Sequence, residues 1–125
     1  MLKAGLHFQT QMVVSPGNTA EYIGSGDMAV LATPAMVALM ENAAMLAVAP
    51  LLPEGSTTVG SCISTSHLKP SAVGATVTAR AELTEVDNRR LTFRVEAYEG
   101  EEKIGEGEHV RYIVDREKFL ARIGK

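Results

Sequence analysis

The chain has 125 residues, of which 46% are hydrophobic, and its formal net charge is −3. This composition is typical of a single globular domain covering residues 1–125, and the acidic balance argues against a nucleic-acid partner. The lone cysteine, Cys62, cannot form an intrachain disulfide, and the N-terminal residues lack the apolar run of a signal peptide. We therefore expect a cytoplasmic protein that has no membrane partner.

The first predicted element is a strand over residues 6–14, where Leu6 and Phe8 alternate with polar neighbours. Turn-forming residues follow at 15–18. Residues 19–30 are ambiguous, with Tyr22 and Ile23 compatible with a short strand. The glycine-rich segment at 24–27 is either a mobile flap or a simple connection.

Residues 33–53 (TPAMVALMENAAMLAVAPLLP) predict one long helix that is apolar on nearly all sides. Thr33 is the expected N-cap, Pro34 suits the first helical position, and the prolines at 50 and 53 end the helix. This helix is expected to be buried and too short to span a bilayer, with Glu41 near its middle. A carboxylate inside such a helix needs partners or a chemical task.

Four further strands are predicted over residues 57–68, 76–86, 91–98 and 103–114, followed by one or two helical turns at the C-terminus. Their apolar residues alternate with polar ones, which indicates antiparallel strands with one wet face. We interpret them as a four-strand meander wrapped around the helix, which is an α+β hotdog fold. One sheet covers only part of an apolar helix, so we expect at least a homodimer.

Three residues are candidates for chemistry, and each has a purely structural alternative. Thr33 serves either as a helix cap only or as a contact to a reacting group. Glu41 belongs either to a buried ion pair at a subunit interface or to a catalytic site. His67 is either a surface histidine or the side chain that transfers a proton near neutral pH.

The spacing of these residues favours a shared site. Thr33 and Glu41 are eight residues apart, a little over two helical turns, and therefore lie on broadly the same side of the helix. Gly60, within a strand pattern, permits either a close approach to the backbone or a simple bulge. The N–H groups at the helix start, or that of Gly60, would suit a developing oxyanion. His7 and His109 have no evident companions, and the three histidines show no metal-ligand spacing.

The sequence resembles the hotdog thioesterases related to fluoroacetyl-CoA thioesterase. The resemblance rests on residues 33–41 (TPAMVALME), the glycine of TVGS at 58–61, the histidine of STSH at 64–67 and GEHVRYIV at 107–114. It extends from about residue 10 to Phe119. It implies that Thr33, Glu41 and His67 form the catalytic set and that Gly60 and Arg111 contact the substrate.

The resemblance also implies an acyl-CoA substrate and no cofactor beyond the coenzyme A of that substrate. Residues 27–31 contain no aromatic side chain that could form a lid over a very small acyl group. We therefore expect a short or medium acyl-CoA, with Glu41 acting either as general base or as attacking carboxylate. The pairing of two dimers into a tetramer stays open.

The phosphates of coenzyme A require cationic contacts, and the sequence offers Lys69, Arg89, Arg90 and Arg111. Two other functions are consistent with the same residues. One is a hotdog hydratase or dehydratase of acyl thioesters, and the other is a non-catalytic acyl-CoA binding protein. The buried polar set favours an enzyme, because binding of an apolar ligand alone would not call for a carboxylate.

Overall fold

The computed structural model describes residues 1–124, in which five strands and one long helix account for most of the chain. The strands are β1 (His7–Val13), β2 (Ser56–His67), β3 (Thr76–Asp87), β4 (Arg90–Glu99) and β5 (Glu102–Asp115). The helices are α1 (Ala20–Ile23), α2 (Thr33–Val48) and α3 (Arg116–Arg122), with short 3-10 turns at Pro16–Asn18 and Ala49–Leu51. In the segment that the sequence left ambiguous, Tyr22 and Ile23 belong to a short helix and not to a strand. Thr19 caps this helix by accepting a hydrogen bond from the N–H of Tyr22.

The strands form one antiparallel sheet in the order β1-β3-β4-β5-β2. The predicted four-strand meander is therefore only partly right, since β3, β4 and β5 are consecutive but β2 pairs with β5. The segment after β2 has to pass from one side of the sheet to the other. On its way it forms a bridge between Ala72 and Val30, just before α2. Alternation in the sequence identifies strands but carries no information about which strands are neighbours.

One face of the sheet packs around α2, as expected for a hotdog fold. The helix contributes a row of completely or nearly completely buried side chains to the core: Met36, Leu39, Met40, Ala43, Ala44, Ala47 and Val48. The inward positions of β3 and β4 meet them with the alternation predicted from the sequence: Val77, Ala79, Ala81, Leu83, Leu91, Phe93, Val95 and Ala97. The side chains on the inner face of the sheet are thus held against the helix that carries Glu41.

The opposite side of α2 remains uncovered in the single chain. Pro34, Ala38 and Asn42 are exposed, and Val37 and Glu41 are half-buried. By length and composition alone, Thr33–Leu51, with 19 residues and a mean hydropathy of 1.5, could cross a membrane, contrary to the sequence expectation. Packing of its buried side against the sheet accounts for this hydropathy, as in the core helix of a globular domain.

Candidate active site

Thr33 and His67 meet where α2 begins and β2 ends. Oγ1 of Thr33 lies 2.8 Å from Nδ1 of His67, within hydrogen-bond distance. The prediction that Thr33 is the N-cap is wrong, because Ala32 occupies that position and Thr33 is the first helical residue. Its hydroxyl contacts the imidazole and leaves the helix end uncapped by any side chain. A polar side chain at the helix start therefore holds a histidine from another element.

The imidazole of His67 is partly withdrawn from water. Burial lowers its pKa from the ordinary value of 6.5, and the backbone of Lys69 offsets part of this effect. Its Nε2 atom is buried, and no group within residues 1–124 forms a hydrogen bond with it. A neutral imidazole with one bonded and one free nitrogen can accept or donate a proton at the free nitrogen.

A cavity of about 300 Å³ opens beside the Thr33–His67 pair. Its wall is mostly apolar and comes from α1, the segment before α2 and the segment after β2: Ala20, Val30, Leu31, Leu68 and Pro70. Apolar cavities with a few polar groups at one side are the usual form of a small-molecule site. The pair therefore lies at the edge of a space that suits an apolar group.

Glu41 lies in a second cluster, on the ladder between β2 and β5. Gly60 makes this cluster possible, because a β-carbon there would lie 3.0 Å from Oε2 of Glu41. The same β-carbon would lie 3.2 Å from Cε1 of His109 and 3.4 Å from Nη1 of Arg111. The functional alternative for Gly60, a close approach to the backbone, is thus what the structure contains. A bulge is present as well, since the register shifts between Gly60 and Cys62.

Arg111 is buried, with 7% of its surface exposed, and it is fixed by three hydrogen bonds. Its Nε donates to Oγ1 of Thr58 at 2.8 Å, and its Nη2 donates to the carbonyl of Thr58 at 3.0 Å. Its Nη1 lies 3.1 Å from Nε2 of His109. Burial lowers the pKa of the guanidinium, and the negative charge of Glu41 partly offsets that effect. A cation is thereby held in place beside the Glu41 carboxylate.

His109 is the residue that sequence reasoning missed, because it was taken to lack companions. Its Nδ1 lies 2.8 Å from the carbonyl of Cys62, so Nδ1 carries the proton and Nε2 accepts from Arg111. Burial is the main cause of its lowered pKa, and the nearby Arg111 charge acts in the same direction. The sequence could have indicated His109 through its spacing from Arg111, since residues 109 and 111 of an alternating strand point to the same face.

Within one chain, the structure groups the predicted residues into two clusters. Thr33 contacts His67, whereas Glu41 lies with Gly60 and Arg111. Eight residues of helix separate Thr33 from Glu41, a rise of about 12 Å. Within residues 1–124, the Glu41 carboxylate forms neither a hydrogen bond nor a salt bridge. The clusters therefore lie at two points along the axis of α2.

The cationic residues considered for the coenzyme A phosphates differ in whether they form salt bridges. Lys69 pairs with Glu102, and Arg90 pairs with carboxylates near the β3–β4 turn. Arg111 belongs to the buried cluster, and Arg89 forms no salt bridge within the part of the chain that the structure describes. In that same part, no group of three or more His, Cys, Asp or Glu side chains is arranged to hold a metal ion.

Comparison with known proteins connects this arrangement to thioester chemistry. The family model FlK, described as fluoroacetyl-CoA-specific thioesterase, matches residues 14–117. The fluoroacetyl-CoA thioesterase of Streptantibioticus cattleyicolor is 38% identical over 128 residues, covering 98% of this chain and 92% of that protein.

Solved structures agree with the sequence comparison. A variant of the fluoroacetyl-CoA thioesterase FlK in complex with acetyl-CoA is 36% identical, with a TM-score of 0.92 and coverage of 98% of this chain and 96% of that one. A thioesterase superfamily member from Thermus thermophilus is 30% identical, with a TM-score of 0.91 and coverage of 98% and 91%. The similarity thus extends over nearly the whole chain, in sequence and in fold.

Proposed function

Because the chain belongs to the family of the fluoroacetyl-CoA-specific thioesterases and is an acyl-CoA thioester hydrolase, we propose that Thr33, Glu41 and His67 are its catalytic groups. The proposed substrate is a short or medium acyl-CoA, which is cleaved to the free acid and coenzyme A. Gly60 and Arg111 contact the substrate beside Glu41.

The observation that carries this assignment is the Thr33–His67 hydrogen bond of 2.8 Å, with the other ring nitrogen of His67 buried and unpaired. Buried polar atoms are nearly always hydrogen-bonded, so an unpaired one calls for an explanation. A reacting water, a leaving thiolate or a carboxylate would each supply the missing partner. The apolar cavity beside the pair is where the acyl group is proposed to lie.

The Glu41 cluster has the negative charge that attack on the thioester carbonyl needs. Hydrolysis adds water to the thioester carbonyl, releases the thiolate and returns a proton to its sulfur. Glu41 either takes the proton from the attacking water or attacks the carbonyl itself, forming an anhydride that water then hydrolyses to release the acid and restore the carboxylate. His67 takes part as acid and base.

Backbone donors are available for the oxyanion that forms on the carbonyl oxygen. The N–H groups of Ala35 and Met36 bond to the carbonyl of Ala32, and Pro34 has no N–H. The N–H of Thr33 is therefore the donor at the helix start, and that of Gly60 is the alternative beside Glu41.

A homodimer with its sites at the subunit boundary would bring the two clusters together. Strand β2 is a sheet edge of 12 residues without a charged side chain or a proline, which is a surface suited to pairing with another strand. Antiparallel pairing of two β2 strands runs Gly60 of one chain towards the partner's His67. The Glu41 cluster of each chain would then face the Thr33–His67 pair of the other.

Two further properties belong to the proposal. The enzyme works in the cytoplasm, in line with a single cysteine that cannot pair within the chain. It needs no cofactor beyond the coenzyme A of its substrate, because proton transfer and oxyanion binding complete the chemistry.

The test follows thiol release from acyl-CoAs of graded chain length, with a thiol reagent as readout. We expect Glu41→Gln and His67→Ala each to lower kcat/KM by about 10²–10⁴-fold, the size of a general acid–base contribution. Glu101→Gln, which makes the same change at an exposed carboxylate in the β4–β5 turn, is the control and should leave the rate unchanged. Full activity of folded Glu41→Gln and His67→Ala proteins would show that the assignment is wrong. Loss of enoyl-CoA absorbance without thiol release would instead indicate a hydratase.

A further inference from the structure

A groove outside both clusters has the charge of an anion-binding site. It has a volume of about 390 Å³ and lies between the start of β2, the end of β5, the β3–β4 turn and α3. Among its lining residues are three cations, one carboxylate, one hydroxyl and one aromatic ring: Arg89, Lys118, Arg122, Asp115, Ser56 and Phe119. The cations outnumber the carboxylate there although the whole chain carries a net charge of −3.

None of these three cations is neutralised within residues 1–124. The salt bridges of that region engage other basic side chains: Lys69, Arg80, Arg90, Arg94 and Lys103. The carboxylate of Asp115 accepts a hydrogen bond from the backbone N–H of Lys118 and so serves as the cap of α3. Among the described residues, Asp115 is therefore the only carboxylate that lines the groove with these cations.

The sequence of α3 places its charges unevenly. Lys118 and Arg122 are four residues apart and line the groove together, although like charges at this spacing weaken a helix. Glu117 lines a different depression, together with Arg116 and Leu120. The helix thus presents two cations to the groove and turns its own glutamate away from it.

The groove lies on the same face of the sheet as the Glu41 cluster. Gly60 pairs with Arg111 and Ser56 pairs with Asp115, so four residues of β2 separate the cluster from the groove. Four strand residues span about 13 Å. Residues 111, 113 and 115 of β5 share one face because side chains alternate along a strand. The pantetheine arm of coenzyme A spans on the order of 15 Å when its backbone is extended.

We propose that this groove binds the phosphates of the adenosine 3′,5′-bisphosphate moiety of coenzyme A, through Arg89, Lys118 and Arg122. Arginine and lysine form charge-assisted hydrogen bonds to phosphate oxygens, and the half-buried Phe119 offers an aromatic face to the adenine. This inference rests on the proposed thioesterase function, since the substrate's thioester lies beside Glu41 while its nucleotide lies in the groove.

The experiment compares an acyl-CoA with the matching acyl-pantetheine, which lacks the nucleotide and its phosphates. In the double variant Arg89→Gln/Arg122→Gln we expect KM for the acyl-CoA to rise on the order of tenfold or more, the loss of at least one charge-assisted hydrogen bond. The kcat for the acyl-CoA and both parameters for acyl-pantetheine should stay unchanged. Lys3→Gln/Arg94→Gln removes the same charge at residues that do not line the groove and should behave like the wild type.

A direct titration separates this inference from the proposed function. Adenosine 3′,5′-bisphosphate should bind the wild type and the Lys3→Gln/Arg94→Gln control, and bind Arg89→Gln/Arg122→Gln at least tenfold more weakly. If the protein shows this binding pattern but does not hydrolyse acyl-CoA, the proposed function is contradicted and phosphate binding in the groove is supported. Phosphate binding in the groove would be contradicted if the active Arg89→Gln/Arg122→Gln enzyme showed an equal rise in KM for both substrates. It would also be contradicted if Lys3→Gln/Arg94→Gln lost as much binding as Arg89→Gln/Arg122→Gln.

Discussion

Two histidines, His67 and His109, have their imidazoles withdrawn from water in the folded chain. Burial is the main cause of the lowered pKa of each. His109 must also stay neutral to accept from Arg111 while donating to the carbonyl of Cys62. A proton added to His109 would convert its Nε2 from acceptor to donor and place it against a cation. Proton binding to either histidine therefore lowers the free energy of unfolding.

We expect the chain to lose stability as the pH falls below 6.5. In the unfolded chain these histidines bind a proton near pH 6.5, whereas in the folded chain they bind it only at a lower pH, so protonation favours unfolding. Their contribution is fully present above pH 6.5 and is lost as the pH falls through the lower, folded pKa. Urea denaturation at pH 7.5 and pH 5.5 measures the difference.

Substitutions assign this pH dependence to individual residues. His109→Gln should lower stability at pH 7.5 and also reduce the difference between the two pH values, because the titrating ring is gone. His7→Gln is the control, since His7 is exposed at the start of β1. An unchanged pH difference in both His67→Gln and His109→Gln would contradict this account.

Sequence reasoning identified the residues of the site more successfully than the contacts between them. Thr33, Glu41 and His67 were selected by residue type, position and resemblance, and the structure places Thr33 against His67. The capping role of Thr33 was wrong because a hydroxyl that faces a histidine is not available to the helix end. His109 was passed over because its partners, Arg111 and the carbonyl of Cys62, become adjacent only when β2 pairs with β5.

At the scale of elements, the β2–β5 ladder contains three glycines, of which Gly60 and Gly107 lack a side chain for different reasons. At Gly60 a methyl group would meet the ends of three long side chains, including Oε2 of Glu41 at 3.0 Å. At Gly107 it would overlap the carbonyl oxygen of Ser64 and lie 2.8 Å from Cα of Thr65, both of which are backbone atoms. Side-chain ends can move aside, whereas a paired backbone cannot.

We therefore expect Gly60→Ala and Gly107→Ala to fail in different ways. Gly60→Ala should keep most of the stability and lose activity on the order of 10²-fold, because the Glu41 carboxylate is displaced. Gly107→Ala should lower Tm on the order of 10 °C, from an overpacking cost of about 1–3 kcal/mol. Thermal melts and thiol-release assays on both variants provide the comparison. Equal losses of activity in two equally stable variants would show that Gly60 has no special relation to Glu41.

The elements were predicted well because each depends on a local pattern. Alternation in β3 and β4 and the apolar run of α2 gave ends within one or two residues, apart from the 3-10 turn that follows the helix. The predicted meander placed β2 wrongly, since the pairing of β2 with β5 depends on a connection that crosses the molecule. Both clusters involve β2, so this unpredicted pairing also decides how the site is arranged.

At the scale of the whole molecule, the proposed function requires two chains. Glu41 lies about 12 Å along α2 from Thr33, and within a single chain the two residues belong to separate clusters. If each site combines Glu41 of one chain with the partner's His67, inactive chains should complement each other. Glu41→Gln and His67→Ala, co-expressed in equal amounts, should recover about one quarter of wild-type activity, since half of the dimers are mixed and each holds one intact site of two.

The matched control places both substitutions on one chain and co-expresses it with the wild type. If sites are shared, a mixed dimer of this kind has no intact site, because each site takes one group from the double variant. Activity should then fall to about one quarter, contributed by the wild-type dimers alone. Sites contained within one chain give the opposite results, with no recovery from the two single variants and about one half of the activity in the control. The two mixtures carry the same substitutions in the same amounts, so equal activities of about one quarter support shared sites, whereas a difference between the mixtures shows that each chain supplies both groups of its own site.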